Sequence, residues 1–325
     1  MQTFQEAIDS VDEDAKPSIV LANGFSQAWN ARIFNYENLL QAANFGDRDT
    51  VIRPLFQSLE TYDFEAVSKQ LTAAETVLRA YDPDNALIES IVSDRDVLKD
   101  SLITAISNTH PNLPSEITDD QYVAVRTFLS QFNEIFSINY DLLFYWARNK
   151  YNLAPENYRT DDGFRAQRRW EGHGTDQEVY FLHGGLHIYD TGRYIKKHAC
   201  TDDGVTIIEQ VRDNLEHGSF PLFVSEPIHE RKRQRIDHNP YLNYCFQALG
   251  NLRGSLFIHG HSMDENDKHI FDQIKSSRVS KVFVSIYGDE NTAANTRTKA
   301  NAMAFLQGFG KSVEFYQAES APVWA

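Results

Sequence analysis

Apolar positions along the chain follow two rhythms. Residues 17–30, "PSIVLANGFSQAWN", begin with Pro17, run apolar from Ile19 to Ala22 and break at Asn23-Gly24. A short continuous apolar run ending in a turn dipeptide predicts a buried strand. Ser26 is the expected cap of a following helix. From about 35 to 110 the spacing is helical: "FEAVSKQLTAAETVLRAY" (64–81) sets Val67, Leu71, Val77 and Leu78 near one face. Residues 85–110 repeat the pattern after a break at "YDPDN", with Asp84 or Asn85 as cap, and a further helix is predicted over about 118–131.

Beyond this block, strands and helices alternate. "NEIFSINYD" (133–141) reads as a strand ending at Asn139 and Asp141, followed by a helix over 142–151. Residues 152–178 are polar and irregular. Residues 178–190 read as strand, turn at His183-Gly184-Gly185, and strand; 221–226 as a strand ending at Glu226; 239–252 as a helix. Strands at 254–263, 281–288 and 312–319 enclose helices at 264–277 and 293–309. Continuous apolar strands alternating with helices predict an α/β fold, a doubly wound parallel sheet covered on both faces. We expect one Rossmann-like domain over 1–325, with a large helical insertion at about 35–130 and an irregular polar insertion at about 152–178. In such sheets the ligand lies beyond the carboxyl ends of the strands. Polar groups and glycines recur there: Asn23, Gly24 and Ser26; Asn139 and Asp141; His183, Gly184 and Gly185; Glu226; then His259, Gly260, His261, Ser262 and Asp264.

As a set and in order, "LANGFS", "SINYD", "LHGG" and "IHGHSMDENDKHI" resemble the sirtuin-like superfamily, in its bacterial NAD-hydrolase branch. The resemblance spans most of 17–290. It implies NAD as substrate or ligand. Ala22, Asn23, Gly24, Phe25 and Ser26 would stand where a glycine-rich loop cradles the dinucleotide phosphates. Small residues and backbone N–H groups at a helix start suit that job. Asn139 and Asp141 would flank the nicotinamide ribose, and His183 would be the base, with Gly184 beside it. Gly260 and Ser262, with Asp264, would form the adenosine-side loop. Asn139, Asp141 and His183 are thus the expected catalytic residues. Cleaving the nicotinamide–ribose bond builds positive charge on the sugar, which a carboxylate stabilises in a dry pocket. An imidazole can accept a proton near neutral pH. Phe25, Tyr140 and Trp146 are read as pocket-closing or core aromatics.

The chain departs from the family at two places. Ala22 replaces the first loop glycine, and the four zinc-binding cysteines of deacylating sirtuins are absent. The reading is therefore an NAD glycohydrolase without zinc, of the kind that includes bacterial defence proteins, rather than a protein deacylase.

Composition narrows the alternatives. A net charge of −15 repels nucleic acid, so the expected partner is a small nucleotide. The basic run "ERKRQR" (230–235) reads as a solvated loop or a local phosphate contact. Cys200 and Cys245 form no CxxC pair, and the acidic N-terminus has no secretory pattern. No run is long enough to span a membrane, so the expected location is cytoplasmic. The absence of an obvious second effector or sensor domain leaves room for a homo-oligomer or a partner protein. Two other classes compete: a non-catalytic sensor of NAD or ADP-ribose, and a metal-dependent hydrolase. The latter would use His183, His187, His259, His261, Asp264, Asp267 and His269, although they show no metalloprotease-type spacing.

Overall fold

The computed structural model describes residues 1–11, 16–31, 39–174, 176–200, 205–226, 228–308 and 310–325. Residues 12–15 of the acidic N-terminus, 35–38 of the helical insertion, 175 of the polar insertion and 309 of the 293–309 helix lie outside them. The strands are β1 (Ser18–Leu21), β2 (Ile135–Ser137), β3 (Thr160–Asp161), β4 (Gln177–Phe181), β5 (Gly184–Asp190), β6 (Ile195–Lys197), β7 (Pro221–Phe223), β8 (Arg253–His259), β9 (Arg278–Ile286) and β10 (Ser312–Gln317). The helices are α1 (Phe4–Asp9), α2 (Asn23–Asn30), α3 (Leu39–Ala42), α4 (Asp49–Ser58), α5 (Phe64–Tyr81), α6 (Leu87–Thr109), α7 (Asp119–Leu129), α8 (Leu143–Asn149), α9 (Ile207–Glu216), α10 (His229–His238), α11 (Pro240–Gly250), α12 (Lys268–Ser276) and α13 (Ala293–Leu306).

Seven strands form a parallel sheet in the order β10-β9-β8-β1-β2-β4-β3. β1 lies near its middle, and all four of its residues are buried. Val20 pairs in register with Phe136 on one side and Ile258 on the other. A strand covered on both faces has no polar side to alternate with, hence the unbroken apolar run. Aromatic pairs reinforce the register: Phe136 stacks on Tyr180 at 4.7 Å and Phe257 on Phe283 at 4.5 Å. From β1 the chain moves outward through β2 and β4, then returns to the opposite flank of β1 and moves outward through β8, β9 and β10. The order therefore reverses between β1 and β8, and their carboxyl ends frame the crevice where such sheets bind ligands.

The helices start where side chains satisfy their first N–H groups. Asp63 accepts from Glu65 N–H at 2.8 Å to open α5, and Thr118 with Gln121 forms a capping box on α7. The predicted cap of α6 holds in substance, because Asn85 Oδ1 accepts from Leu87 N–H at 2.9 Å. Ser26 corrects the expectation: it lies inside α2, buried, and does not cap it. In α6, Leu98, Leu102, Ala105, Ile106 and Thr109 form the buried stripe.

Two readings are revised. The strand expected at 221–226 is β7, and it leaves the parallel sheet for a small antiparallel one, β6-β5-β7. A short, fully buried apolar run does not encode which sheet it joins. The "ERKRQR" run is not a loop but the body of α10. Its cations are paired: Arg231 with Glu60, Lys232 with Asp267, Arg233 with Asp237, and Arg235 with Asp63 and Glu65.

Gly184 has φ +71°, and a Cβ there would lie 2.0 Å from the Leu222 carbonyl oxygen across the β5–β7 pairing. Gly192 has φ +74° but open space around it. Gly192→Ala should cost about 1 kcal/mol for the left-handed backbone alone. Gly184→Ala should cost roughly 3 kcal/mol, because forced overpacking adds to it. Urea denaturation of the two variants separates these effects; equal losses would mean that β7 is not seated against Gly184.

Candidate functional site

A cavity of about 480 Å³ opens at the carboxyl ends of β1, β2 and β8, within the size range of small-molecule sites. Its wall combines Ala22, Asn23 and Gly24 after β1; Asn139, Tyr140 and Asp141 after β2; His183 after β4; and Gly260, His261, Ser262 and Asp264 after β8. Asn139 and His183, 44 residues apart in sequence, thus share one wall.

The loops after β1 and β8 touch backbone to backbone. Gly24 N–H donates to the Gly260 carbonyl at 2.9 Å, and a Cβ on Gly24 would lie 2.5 Å from Gly260 Cα. Gly260 itself has φ +76°. Both glycines are therefore needed for contact between the loops. Of the loop N–H groups expected to face a phosphate, Gly24 N–H donates to Gly260 and Phe25 N–H to the Ala22 carbonyl at 2.9 Å.

Behind this contact runs a buried polar chain. The Asn139 amide donates to the Ala22 carbonyl at 3.0 Å and to Ser26 Oγ at 3.1 Å. Ser26 Oγ–H in turn donates to Asp141 Oδ2, and Asp141 Oδ1 accepts from Leu143 N–H at 3.0 Å. Both Asn139 amide hydrogens are used, which leaves Oδ1 to meet a ligand. Burial pushes the Asp141 carboxyl up to about 6, against the hydrogen bonds from Ser26 and Leu143 that favour its ionised form.

Elsewhere in the lining, His183 Nε2 lies 3.0 Å from His269 Nε2 and 4.0 Å from Asp267 Oδ1. Burial lowers His183 to about 3, outweighing the nearby Asp267 charge, so its imidazole is neutral at physiological pH. Lys232 Nζ donates to Asp267 Oδ1 at 2.7 Å, and His261 Nε2 lies 3.1 Å from Oδ2. His261 Nδ1 accepts from Met263 N–H at 2.7 Å, so the ring proton sits on Nε2 and is donated to Asp267. Burial alone would raise Asp267, but the His261 hydrogen bond and the Lys232 charge hold it well below the usual carboxylate range.

Other candidates are placed elsewhere. The Phe25 ring packs in the core against Trp324 at 5.2 Å and Phe144 at 6.3 Å. Trp146 is also core, whereas Tyr140 lines the cavity. Gly184 serves the contact with Leu222, and Ser26 lies behind the wall. Of the histidine and acid set, the structure gathers His183, His261, Asp267 and His269. It leaves His187 stacked on Tyr145 at 3.9 Å and His259 bonded to the Tyr316 hydroxyl at 2.9 Å. Asp264 caps the turn before α12, accepting from Asn266 N–H at 3.0 Å.

Glu226 and Asp267 also line the cavity, and so do Gln27, Tyr62, Thr109, His110, Ser225 and Asn266, which sequence reasoning did not single out, and Lys232 of the basic run. Thr109 and His110 close α6 just before Pro111, a break that marks a helix end but not which cavity it meets. Among the described residues the lining holds four carboxylic acids, Asp141, Glu226, Asp264 and Asp267, and one amine, Lys232.

Residues 19–324 match the family described as "Domain of unknown function (DUF4917)", and the chain belongs to that family. No curated protein matches. Solved structures similar to the chain include one described as "Structural Basis for the Mechanism and Regulation of Sir2 Enzymes" (12% identity, 98% of this chain and 94% of that chain, TM-score 0.36). Another is a Sir2 variant with a deacetylated p53 peptide and 3'-O-acetyl ADP ribose (13% identity, 96% of this chain and 100% of that chain, TM-score 0.36). Among the described residues no helix is long and apolar enough to cross a membrane.

Glu226 offers a pH test of the cavity. Burial, with the Asp63 charge second, raises its carboxyl to about 7, above the ordinary 4.5. A raised carboxyl means that the native state binds the proton more tightly than the unfolded chain. The resulting stabilisation is present below pH 4.5 and is lost as pH rises through about 7. Glu226→Gln should therefore leave stability unchanged at pH 4 and raise it by about 2 kcal/mol at pH 8, allowing for partial exposure. Denaturation curves at the two pH values check this; a gain at pH 4 alone contradicts the assignment.

Proposed function

We propose that the cavity binds NAD and hydrolyses its nicotinamide–ribose bond. The carrying observation is the convergence of Asn139, Asp141 and His183 on one wall at the β1–β8 reversal. The acid-rich lining supports this reading, because the nicotinamide end of NAD is cationic and becomes an oxocarbenium-like sugar as the bond breaks. An anionic wall favours both.

The residues divide the work. Asn139 Oδ1 accepts from a ribose hydroxyl while its amide is anchored behind the wall. Asp141, with both oxygens committed, acts through its charge and by fixing Ser26 and Asn139. Neutral His183 takes a proton from a ribose hydroxyl or a water. The imidazolium so formed is stabilised by Asp267, 4.0 Å away. With Gly24 and Phe25 N–H spent, the dinucleotide phosphates meet polar side chains at the rim, among them Ser262 and Asn266.

Purified protein incubated with NAD should release nicotinamide, measured by chromatography. His183→Ala and Asn139→Ala should each lower the rate by roughly 100-fold or more while NAD binding is retained. Binding without release in the parent protein makes the cavity a sensor of NAD, and neither binding nor release ends the proposal.

A further inference from the structure

We propose that His183, Asp267 and His269 bind one divalent transition-metal ion of the zinc class, with an open coordination position facing the cavity. The inference does not rest on the NAD reading, but it shares His183 with it: a ring whose Nε2 holds an ion does not take up a proton there, so the ion-bound form and the base form exclude each other. These three residues offer two imidazole nitrogens and a carboxylate oxygen that all lie within 4.8 Å of one another. A tetrahedral ion with bonds of about 2.0–2.1 Å sets its ligand atoms roughly 3.4 Å apart. The observed separations, 3.0 Å between the two Nε2 atoms and 4.0 Å from His183 Nε2 to Asp267 Oδ1, bracket that value. Small side-chain rotations close the difference.

The donors are in the right chemical state. A neutral imidazole keeps one ring-nitrogen lone pair, so His183 and His269 each have a donor to offer. His269 Nδ1 is buried with no hydrogen-bond partner, so nothing in the protein obliges Nε2 to keep the ring proton. The Nε2–H of His261 orients Asp267 through its second oxygen at 3.1 Å, as outer-sphere partners of metal ligands do. Two imidazoles and one carboxylate suit zinc or nickel better than magnesium or calcium, which prefer oxygen alone. The remaining position opens on a cavity whose acids outnumber its one amine, so a cation is electrostatically welcome there.

Lys232 makes the inference sharper. Its ammonium, 2.7 Å from Asp267 Oδ1, occupies part of the space and supplies the positive charge that an ion would bring. It therefore competes with the metal. Removing a lysine from a catalytic or nucleotide-binding wall would ordinarily weaken ligand binding, but here it should strengthen metal binding.

The test uses the full-length protein stripped with a chelator and titrated calorimetrically with zinc chloride, with cobalt(II) absorption reporting coordination geometry. One ion per chain is expected. Asp267→Asn and His269→Gln should abolish that binding while retaining the parent's circular dichroism and a cooperative melt. His261→Ala should weaken it about tenfold, and Lys232→Met should tighten it. Absence of zinc and cobalt binding in the parent protein overturns the proposal, as does undiminished binding in well-folded Asp267→Asn and His269→Gln. Weaker binding in Lys232→Met overturns the competitive role of the lysine and, with it, the placement of the ion.

Discussion

The contact between Gly24 and Gly260 fixes the geometry on which the rest of the site depends. Two loops that end neighbouring parallel strands meet backbone to backbone, leaving no room for a Cβ on either side. Once they meet, the start of α2 is set against β8. The Asn139–Ser26–Asp141 chain then ties the same helix to the loop after β2. Three strands are thereby linked at one rim, by one close backbone approach and one buried hydrogen-bonded chain. Such a chain contributes little net stability, but leaving one of its buried members unpaired costs about 1–3 kcal/mol, so it specifies a single arrangement.

The electrostatics of the cavity follow from the same placement. Burial drives imidazoles toward neutrality and carboxyls toward protonation, and the structure resists it only where partners are supplied. Asp267 has Lys232 and His261 and stays ionised. Asp141 has only a hydroxyl and an N–H, and rises to about 6. Glu226 has a buried oxygen without a partner and rises to about 7. The wall therefore carries acids of graded strength. A ligand with a cationic or charge-deficient centre lowers the cost of ionising the weaker ones.

The parallel sheet was legible in the sequence because strands buried on both faces are written as unbroken apolar runs: "SIVL", "EIFS", "SLFIH" and "KVFVSI" are all strands of one sheet. The rim residues Asn23, Asn139, His183 and Gly260 were legible because polar groups interrupt those runs where the strands end. What periodicity does not encode is partnership. It could not say that "PLF" joins β5, that Ser26 bonds Asp141 rather than capping α2, or that Gly24 N–H bonds the Gly260 carbonyl. Nor could it gather His183 with Asp267 and His269, 84 and 86 residues further on, since no fixed spacing links a turn after β4 to the start of α12.

The helices between β1 and β2 are coupled to this rim through α10. Asp63 serves two partners at once: it caps α5 through Glu65 N–H at 2.8 Å and pairs with Arg235 at 3.2 Å. Arg235 is mostly buried, so the pair is screened less than an exposed one and leaves a costly charge if either partner is removed. One helical turn earlier on the same face, Lys232 holds Asp267. A displacement of α5 would therefore reach the His183 wall through a single short helix, without crossing the sheet. The same segment contributes Tyr62 ahead of α5, and Thr109 and His110 at the end of α6, to the lining. The segment between β1 and β2 is thus part of the cavity's wall and is tied by ion pairs to α10, whose Lys232 holds Asp267.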